Sequence, residues 1–359
     1  MTVFHRPRRA VRRRSLESWA LLGSAALLLS ATALPAPFVI ETPGPTFNTV
    51  GEHDGQQLLE IAGAPTYPTA SVLDLTTVYV AGGPNQNVSV LTVLGSWLDP
   101  SAAVVPADAL YPRHVSAEEV TNYSMMAMSS SQDHSVAAAL THLGREFTTE
   151  LSVHAAVPGG PAEGILEQGD VLLEVEGRPV TSLPGLKAAL DAAGEQGVTL
   201  RVERSGAVRD VEVDTVHDEA SDSWQLGVYL VPDYGFPVDV GFELDEVGGP
   251  SAGMMFALGI VDELTPGSLA GDRHVAGTGT ITPDGRVGPI GGIRQKVDGA
   301  ADAGAEVFLA PRGNCAELQG HVPDGLTVVP VRTLDDAVAA AEAAGRGEDL
   351  STLPACGLP

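Results

Sequence analysis

Residues 247–259 read VGGPSAGMMFALG. Two glycines and a proline run into a serine, and an apolar helical pattern begins on it. Gly248-Gly249-Pro250 can bend sharply, and proline suits the first turn of a helix. Ser251 therefore falls where backbone N–H groups have no intrahelical partner. One reading is a serine N-cap. The other is a nucleophile, whose attack on a carbonyl those free amides and the helix dipole would assist. On local evidence the cap is the simpler of the two.

A serine nucleophile needs a base. Asp272-Arg273-His274 offers a Ser–His–Asp arrangement, since triads recur in many chain orders, although only adjacency marks that pair. Lysine is the other base available. Of the 20 basic residues only Lys187 and Lys296 are lysine, which leaves 20 − 2 = 18 arginines. Arginine cannot give up its proton near neutral pH, whereas a desolvated lysine can. Lys296 lies in Gly291-Gly292-Ile293-Arg294-Gln295-Lys296, at the start of a helical pattern. The dipole disfavours a cation there, in the same direction as burial. Lys187 reads as a solvated lysine.

Outward from these two residues, 216–345 alternate between strand and helix, the pattern of an α/β unit. LGVYLVP and VDVGFEL read as strands, and SAGMMFALGIVDEL as a helix. RHVAGTGTITPDGRV reads as a hairpin turning at Pro283-Asp284-Gly285. IRQKVDGAADAGA is a helix, AEVFLAP and LTVVPV are strands, and LDDAVAAAEAAG is a closing helix. Upstream, 131–215 are richer in β structure. Strand FTTELSVHAAV is followed by turns, by VLLEVEGRPV folding at Glu176-Gly177, by a helix from Ser182 to Gly194, and by a hairpin at Ser205-Gly206. Residues 129–144, SSSQDHSVAAALTHLG, read as a serine-capped helix stopped by Gly144. Before that, QLLEIAG and SVLDLTTVYV are strands, and VSVLTVLGSWLDP fits helix or strand.

Two resemblances follow. PGGPAEGILEQGDVLLEVEGRPV, then a helix and a hairpin, resembles bacterial PDZ domains. That implies capture of an extended peptide by strand addition. The candidate loop for a terminal carboxylate is Gly144-Arg145-Glu146-Phe147; a plain helix-to-strand connection is the other reading. GPSAG around Ser251 and TGxIxxxGxVxxIGGIxxK, Thr278 to Lys296, resemble the proteolytic domain of Lon proteases. The resemblance implies a Ser–Lys dyad, with Ser251 as nucleophile and Lys296 as general base. It further implies that Thr278 orients the lysine and that backbone amides of Gly249, Ser251 and Ala252 hold the oxyanion. Ring assembly, hexamers above all, is implied in the same way. Many Lon proteases carry an acid three positions before the serine; here that position is Gly248, with Asp245 and Glu246 farther back. Lon proteases also couple to an ATPase, but no GxxxxGK[ST] loop occurs in this chain. No Cys/His spacing or HExxH points to zinc. No metal or cofactor is expected.

Charge and termini complete the reading. The formal net charge is −26. Residues 1–18 hold six arginines and one acid, so the remainder carries 20 − 6 = 14 bases against 46 − 1 = 45 acids. Such a surface repels phosphate backbones and argues against nucleic-acid binding. Trp19 to Ile40 is uncharged and long enough to span a bilayer. The arginines before it predict a cytoplasmic N-terminus and export of the rest. A cleaved signal peptide ending at Ala31-Thr32-Ala33 is the competing reading. Outside the cytoplasm Cys315 and Cys356 could pair.

The expected fold is an α/β (α+β) Lon-type proteolytic domain with a PDZ-like β-rich domain and one N-terminal transmembrane helix. The expected division is a basic tail 1–18, an anchor 19–40, and a β-containing segment 41–130 packing on the protease domain. A PDZ-like domain 131–215, a proteolytic domain 216–345 and a tail 346–359 follow. A soluble form would begin at residue 41. An anchor, then a PDZ unit, then a Lon-like domain is similar to the membrane-anchored, ATP-independent Lon-like proteases of Gram-positive bacteria. The expected activity is serine endopeptidase cleavage of unfolded or exposed cell-envelope polypeptides. The alternative is a non-catalytic PDZ adaptor at the membrane.

Overall fold

The computed structural model describes residues 19–25, 34–84, 87–111, 115–219, 222–244, 247–350, 353, 355 and 356. The basic tail, Asp245 and Glu246 lie outside them. A six-stranded mixed sheet organises the molecule. The N-terminal segment gives it three strands, β2 (Phe38–Asn48), β3 (Val72–Gly82) and β5 (Ala103–Pro106), while the short β1 (Pro35–Ala36) and β4 (Val88–Ser89) pair with each other as a separate ribbon. Between β4 and β5 lies helix α1 (Val90–Ser96), and helix α2 (Ala117–His142) follows.

Strands β6 (Thr148–Ala156), β7 (Val171–Val175), β8 (Val198–Arg204), β9 (Ala207–Val213) and β10 (Val228–Gly235), with helix α3 (Leu183–Ala193), form a second unit. Its sheet order is β9-β8-β7-β6-β10. The core beneath it joins Leu151, Val153, Leu172 and Leu200 to Leu186 and Leu190 of α3. Glu176-Gly177 and Ser205-Gly206 all take positive φ, as tight hairpin turns require. The unit enters at Thr148 and leaves at Gly235, which are register partners. LGVYLVP is therefore corrected. It does not open the following α/β unit but closes this sheet, because β10 pairs with β6 along its whole length.

The chain then returns through helix α4 (Gly253–Leu264), strand β11 (His274–Gly277), the hairpin β12 (Thr280–Ile281) and β13 (Val287–Gly288), and helix α5 (Ile293–Asp302). Strands β14 (Val307–Pro311) and β15 (Thr327–Val331) and helix α6 (Leu334–Gly345) complete it. The first sheet has the order β15-β14-β11-β3-β2-β5. Its four first-named strands run parallel, and β2 and β5 add an antiparallel edge. The parallel strands are covered on both faces, so β14 reads VFLAP and is buried throughout. Leu73, Leu75, Val275 and Leu309 face α2, α4 and α6. Ala276, Phe308 and Ala310 face Ile293 and Val297 of α5. The PDGR turn lies between β12 and β13, while β11 is a central strand and not an arm of that hairpin.

Two further expectations are corrected. The helix expected over 129–144 begins at Ala117, capped by a reciprocal Ser116–Glu119 box and not by a serine near 129. Its first half projects Tyr123, Met125 and Met126 into solvent and so has no apolar stripe to read. Residues 35–36 and 38–40, assigned to the membrane anchor, are strand. Val39 and Ile40 are buried in protein. Residues 19–25 are helical, and 26–33 lie outside the described residues. Among the described residues no helix is long and apolar enough to cross a membrane. Cys315 and Cys356 form a disulfide.

Candidate active site

Gly249 has φ +88°, a conformation that a side chain would strain, and it turns the chain into Pro250. Pro250–Ala252 form a 3₁₀ turn that runs on into α4. Helix α2 grips this turn from outside. The Gly249 N–H donates to Ser124 O at 3.0 Å, and Ser131 Oγ donates to Pro250 O at 3.1 Å. The close approach of α2 explains the last glycine of GPSAG. A Cβ on Gly253 would lie 2.5 Å from Ser131 Oγ and 2.9 Å from Ile281 Cγ2. Ser124 and Ser131 went unread in the sequence, where nothing links them to a loop so far along the chain.

On the other side, the end of β11 holds the same turn. The Gly279 N–H donates to Ser251 O at 2.8 Å, and Thr278 Oγ1 donates to that oxygen at 2.9 Å. Helix α5 starts on Gly292 in the left-handed region. Lys296 lies one turn in, its N–H on Gly292 O. Its Nζ reaches Ser251 Oγ at 2.7 Å and Thr278 Oγ1 at 3.0 Å. Lys296 is 2 % exposed and Thr278 is fully buried, while Ser251 is half-buried. Burial pulls the Lys296 pKa down from its usual value to about 7.

These contacts settle the directions of the hydrogen bonds. Thr278 commits its one hydroxyl proton to Ser251 O, so its oxygen must accept from Lys296. That contact aims the remaining valence of Nζ at Ser251 Oγ. A charged Nζ donates to Oγ; a neutral one presents its lone pair and can take the hydroxyl proton. The arrangement is a serine facing a buried amine that titrates near neutrality, with Ser251 open to solvent on one side.

The other predicted residues are placed differently. His274 does not face Ser251. Its Nε2 pairs with Asp74 Oδ2 at 2.8 Å. It starts β11, four residues or roughly 13 Å of strand away from Thr278. The Ser–His–Asp arrangement is therefore not assembled, because the sheet fixes His274 at the far end of that strand. Gly249 is not an open oxyanion donor, since Ser124 O occupies its N–H. Ser251 and Ala252 sit in the first turn, which has no side-chain cap. Gly144-Arg145-Glu146-Phe147 is not an open amide loop. Gly144 N–H bonds Thr141 O and Arg145 N–H bonds Leu140 O, which closes the end of α2 as a Schellman motif. Phe147 packs its ring against Tyr234 and Phe236. Among the described residues no group of His, Cys, Asp or Glu is placed to hold a metal.

Known proteins resemble the chain over two segments. Residues 246–343 match the family described as Lon protease C-terminal proteolytic domain, and residues 152–204 match the PDZ domain family. Over 91 residues the chain is 43% identical to a Lon protease of Azospirillum brasilense, covering 24% of this chain and 11% of that one. Over 110 residues it is 41% identical to Lon protease 2 of Herpetosiphon aurantiacus, covering 30% of this chain and 12% of that one. The chain thus spans a small part of the length of these curated relatives. A solved PDZ domain of an SdrC-like protein from Listeria innocua aligns at a TM-score of 0.21 and 16% identity, covering 23% of this chain and 92% of that one. The chain carries a Lon-type proteolytic domain, a serine peptidase domain, together with a PDZ domain.

Proposed function

We propose that this chain is a serine endopeptidase that works through a Ser251–Lys296 dyad. The observation that carries the reading is the 2.7 Å contact between Ser251 Oγ and a buried Lys296 whose pKa is pulled down to about 7. Neutral Lys296 Nζ takes the Ser251 hydroxyl proton as Oγ bonds to the scissile carbonyl carbon. The resulting oxyanion lies against the uncapped amides of Ser251 and Ala252. Lys296 then passes its proton to the leaving amine, the C–N bond breaks, and an acyl ester remains on Ser251. Lys296 next takes a proton from water as the water oxygen bonds to the ester carbon; the C–Oγ bond breaks, the acid leaves, and Lys296 returns the proton to Ser251 Oγ.

The substrates in this reading are unfolded or locally exposed polypeptides of the cell envelope, cut without ATP by this chain. The PDZ unit recruits them by strand addition. The edge that supports this role is β10, which ends its sheet and exposes Tyr229 and Val231 on alternate positions. Helix α3 lies beside the start of that edge, where Trp224 N–H bonds Asp191. The membrane anchor is part of the same reading, shortened to residues 19–34. The apolar run and the preceding arginines support it.

The test is cleavage of casein by the detergent-solubilised full chain without ATP. Wild type should cut it, and Ser251→Ala and Lys296→Ala should each lose at least about a hundredfold in rate. A lysine variant as active as wild type removes the dyad.

A further inference from the structure

The chain is strongly acidic, yet between Asp74 and Asp99 it has no charged residue. That stretch holds the second half of β3, β4 and all of α1. Helix α1 buries Val93 against Ile40 and Val88. Leu91 and Leu94 point the other way and are exposed. Trp97 and Leu98 at its end are 61% and 87% exposed. Single exposed apolar residues are ordinary; a contiguous uncharged group on an acidic protein is not.

This group sits where the chain leaves its N-terminal apolar run. The Val90 N–H donates to Leu34 O at 3.2 Å, and Pro35 pairs with Ser89. Trp97 meets the edge of Phe38, with ring centroids 6.4 Å apart. Leu34 itself is exposed. The last residue of the span left to the anchor is therefore tied to the first residue of α1.

We infer that Leu34, Leu91, Leu94, Trp97 and Leu98 form a docking surface for the lipid bilayer. The inference rests on the anchor reading. Once β1 and β2 take residues 35–36 and 38–48 into strands, the span left is 19–34. That number of residues could reach at most ~24 Å in helical geometry, against a hydrocarbon core of ~30 Å. A span short by ~6 Å draws the folded domain onto the membrane. An apolar face that sinks ~5–10 Å into the interface makes up the difference. Trp97 has the ring that such an interface favours. The stretch between Asp74 and Asp99 adds no acid to a surface that must approach anionic lipid. Gln295 Nε2 donates to Ser101 O at 3.1 Å, so the helix carrying Lys296 is tied to the loop just beyond this face. The dyad is thereby held close to the membrane, and polypeptide emerging from the bilayer is the substrate class within reach.

Tryptophans occur at positions 19, 97 and 224, which makes the contact measurable. Two full-length variants, Trp19→Phe/Trp224→Phe and Trp97→Phe/Trp224→Phe, each leave one reporter in the N-terminal half. Both are reconstituted into phosphatidylcholine–phosphatidylglycerol vesicles containing lipids brominated near the headgroup end of the acyl chain. Both Trp19 and Trp97 should be quenched. Adding Leu91→Ser, Leu94→Ser and Leu98→Ser should cut Trp97 quenching at least twofold and leave Trp19 quenching unchanged. Quenching of Trp19 with Trp97 reached only by aqueous acrylamide overturns the docking surface and keeps the anchor. Trp97 protected from both quenchers overturns it in favour of a second protein copy. An unquenched Trp19 overturns the anchor, and the docking surface with it.

Discussion

Lys296 is a buried amine that the fold tolerates at a cost, and the cost depends on pH. In the folded chain burial brings its pKa to about 7, while in the unfolded chain it returns to the ordinary value of 10.5. Between those values the unfolded state binds more protons, so stability rises with pH across that window. Below pH 7 the full penalty is present, on the order of a few kcal/mol. Lys296→Met should therefore raise urea-unfolding stability most at pH 6, with the gain shrinking through pH 8 and closing near pH 10. Peptidase activity of the wild type should follow the neutral amine, rising about tenfold per pH unit below 7 and levelling above it. A flat rate from pH 5 to 9, or a variant no more stable in acid, contradicts a buried titrating base. This residue was legible in the sequence because arginine fills every other basic position but one. Its neighbours were legible only through the resemblance: no periodicity says that Thr278 hands its proton to Ser251 O. The fate of the Gly249 amide was not legible at all, because its partner lies on α2.

At the scale of elements, two segments depart from their sequence reading for different reasons. LGVYLVP alternates like any half-buried strand, and alternation does not say which sheet a strand joins. Only the pairing of β10 with β6 assigns it to the PDZ unit. Helix α2 buries no residue before Met128, and the rest of its buried residues, Ser131, Ser135, Val136, Ala138, Ala139 and Leu140 among them, lie in its second half. Its apolar pattern is therefore too weak to mark the true start at Ala117. The Gly144–Phe147 loop expected to hold a terminal carboxylate is closed off by its own hydrogen bonds, and the edge proposed for peptide addition is β10, at Tyr229 and Val231. Tyr229→Asp with Val231→Asp puts two charges where an added strand would lay its side chains. The pair should raise KM for casein about tenfold, while the rate on a short chromogenic peptide stays within about twofold of wild type, as expected when uniform binding is lost. Equal losses on both substrates would locate the effect in the proteolytic domain instead.

At the scale of the whole molecule, the question is where the folded part begins. Hydropathy alone extends the expected membrane segment to Ile40, because an apolar strand and an apolar span look alike residue by residue. The sheet separates them. Val39 pairs with Gly82 on one side and Val105 on the other, and it is fully buried. Ile40 is buried with it, and Phe38 packs on Trp97. Burying such side chains is worth roughly 1.5–3 kcal/mol each. Two of them, with the ladder bonds of the strand end, amount to a large share of a typical stability of about 5–15 kcal/mol. A chain cut to start at Leu34 keeps every one of these contacts; a chain cut to start at Glu41 loses them. The first should unfold in one cooperative thermal transition. The second should melt at least about 10 °C lower or fail to stay soluble, as circular dichroism of the two would report. Equal melting temperatures would mean that β2 contributes nothing before Glu41, and the boundary between span and sheet would return to Ile40. A boundary at Leu34 also bears on processing, because cleavage after Ala33 would release the sheet intact. The membrane fraction of the full chain, with the N-terminal sequence of its mature form, then separates an anchored enzyme from a secreted one without disturbing the dyad.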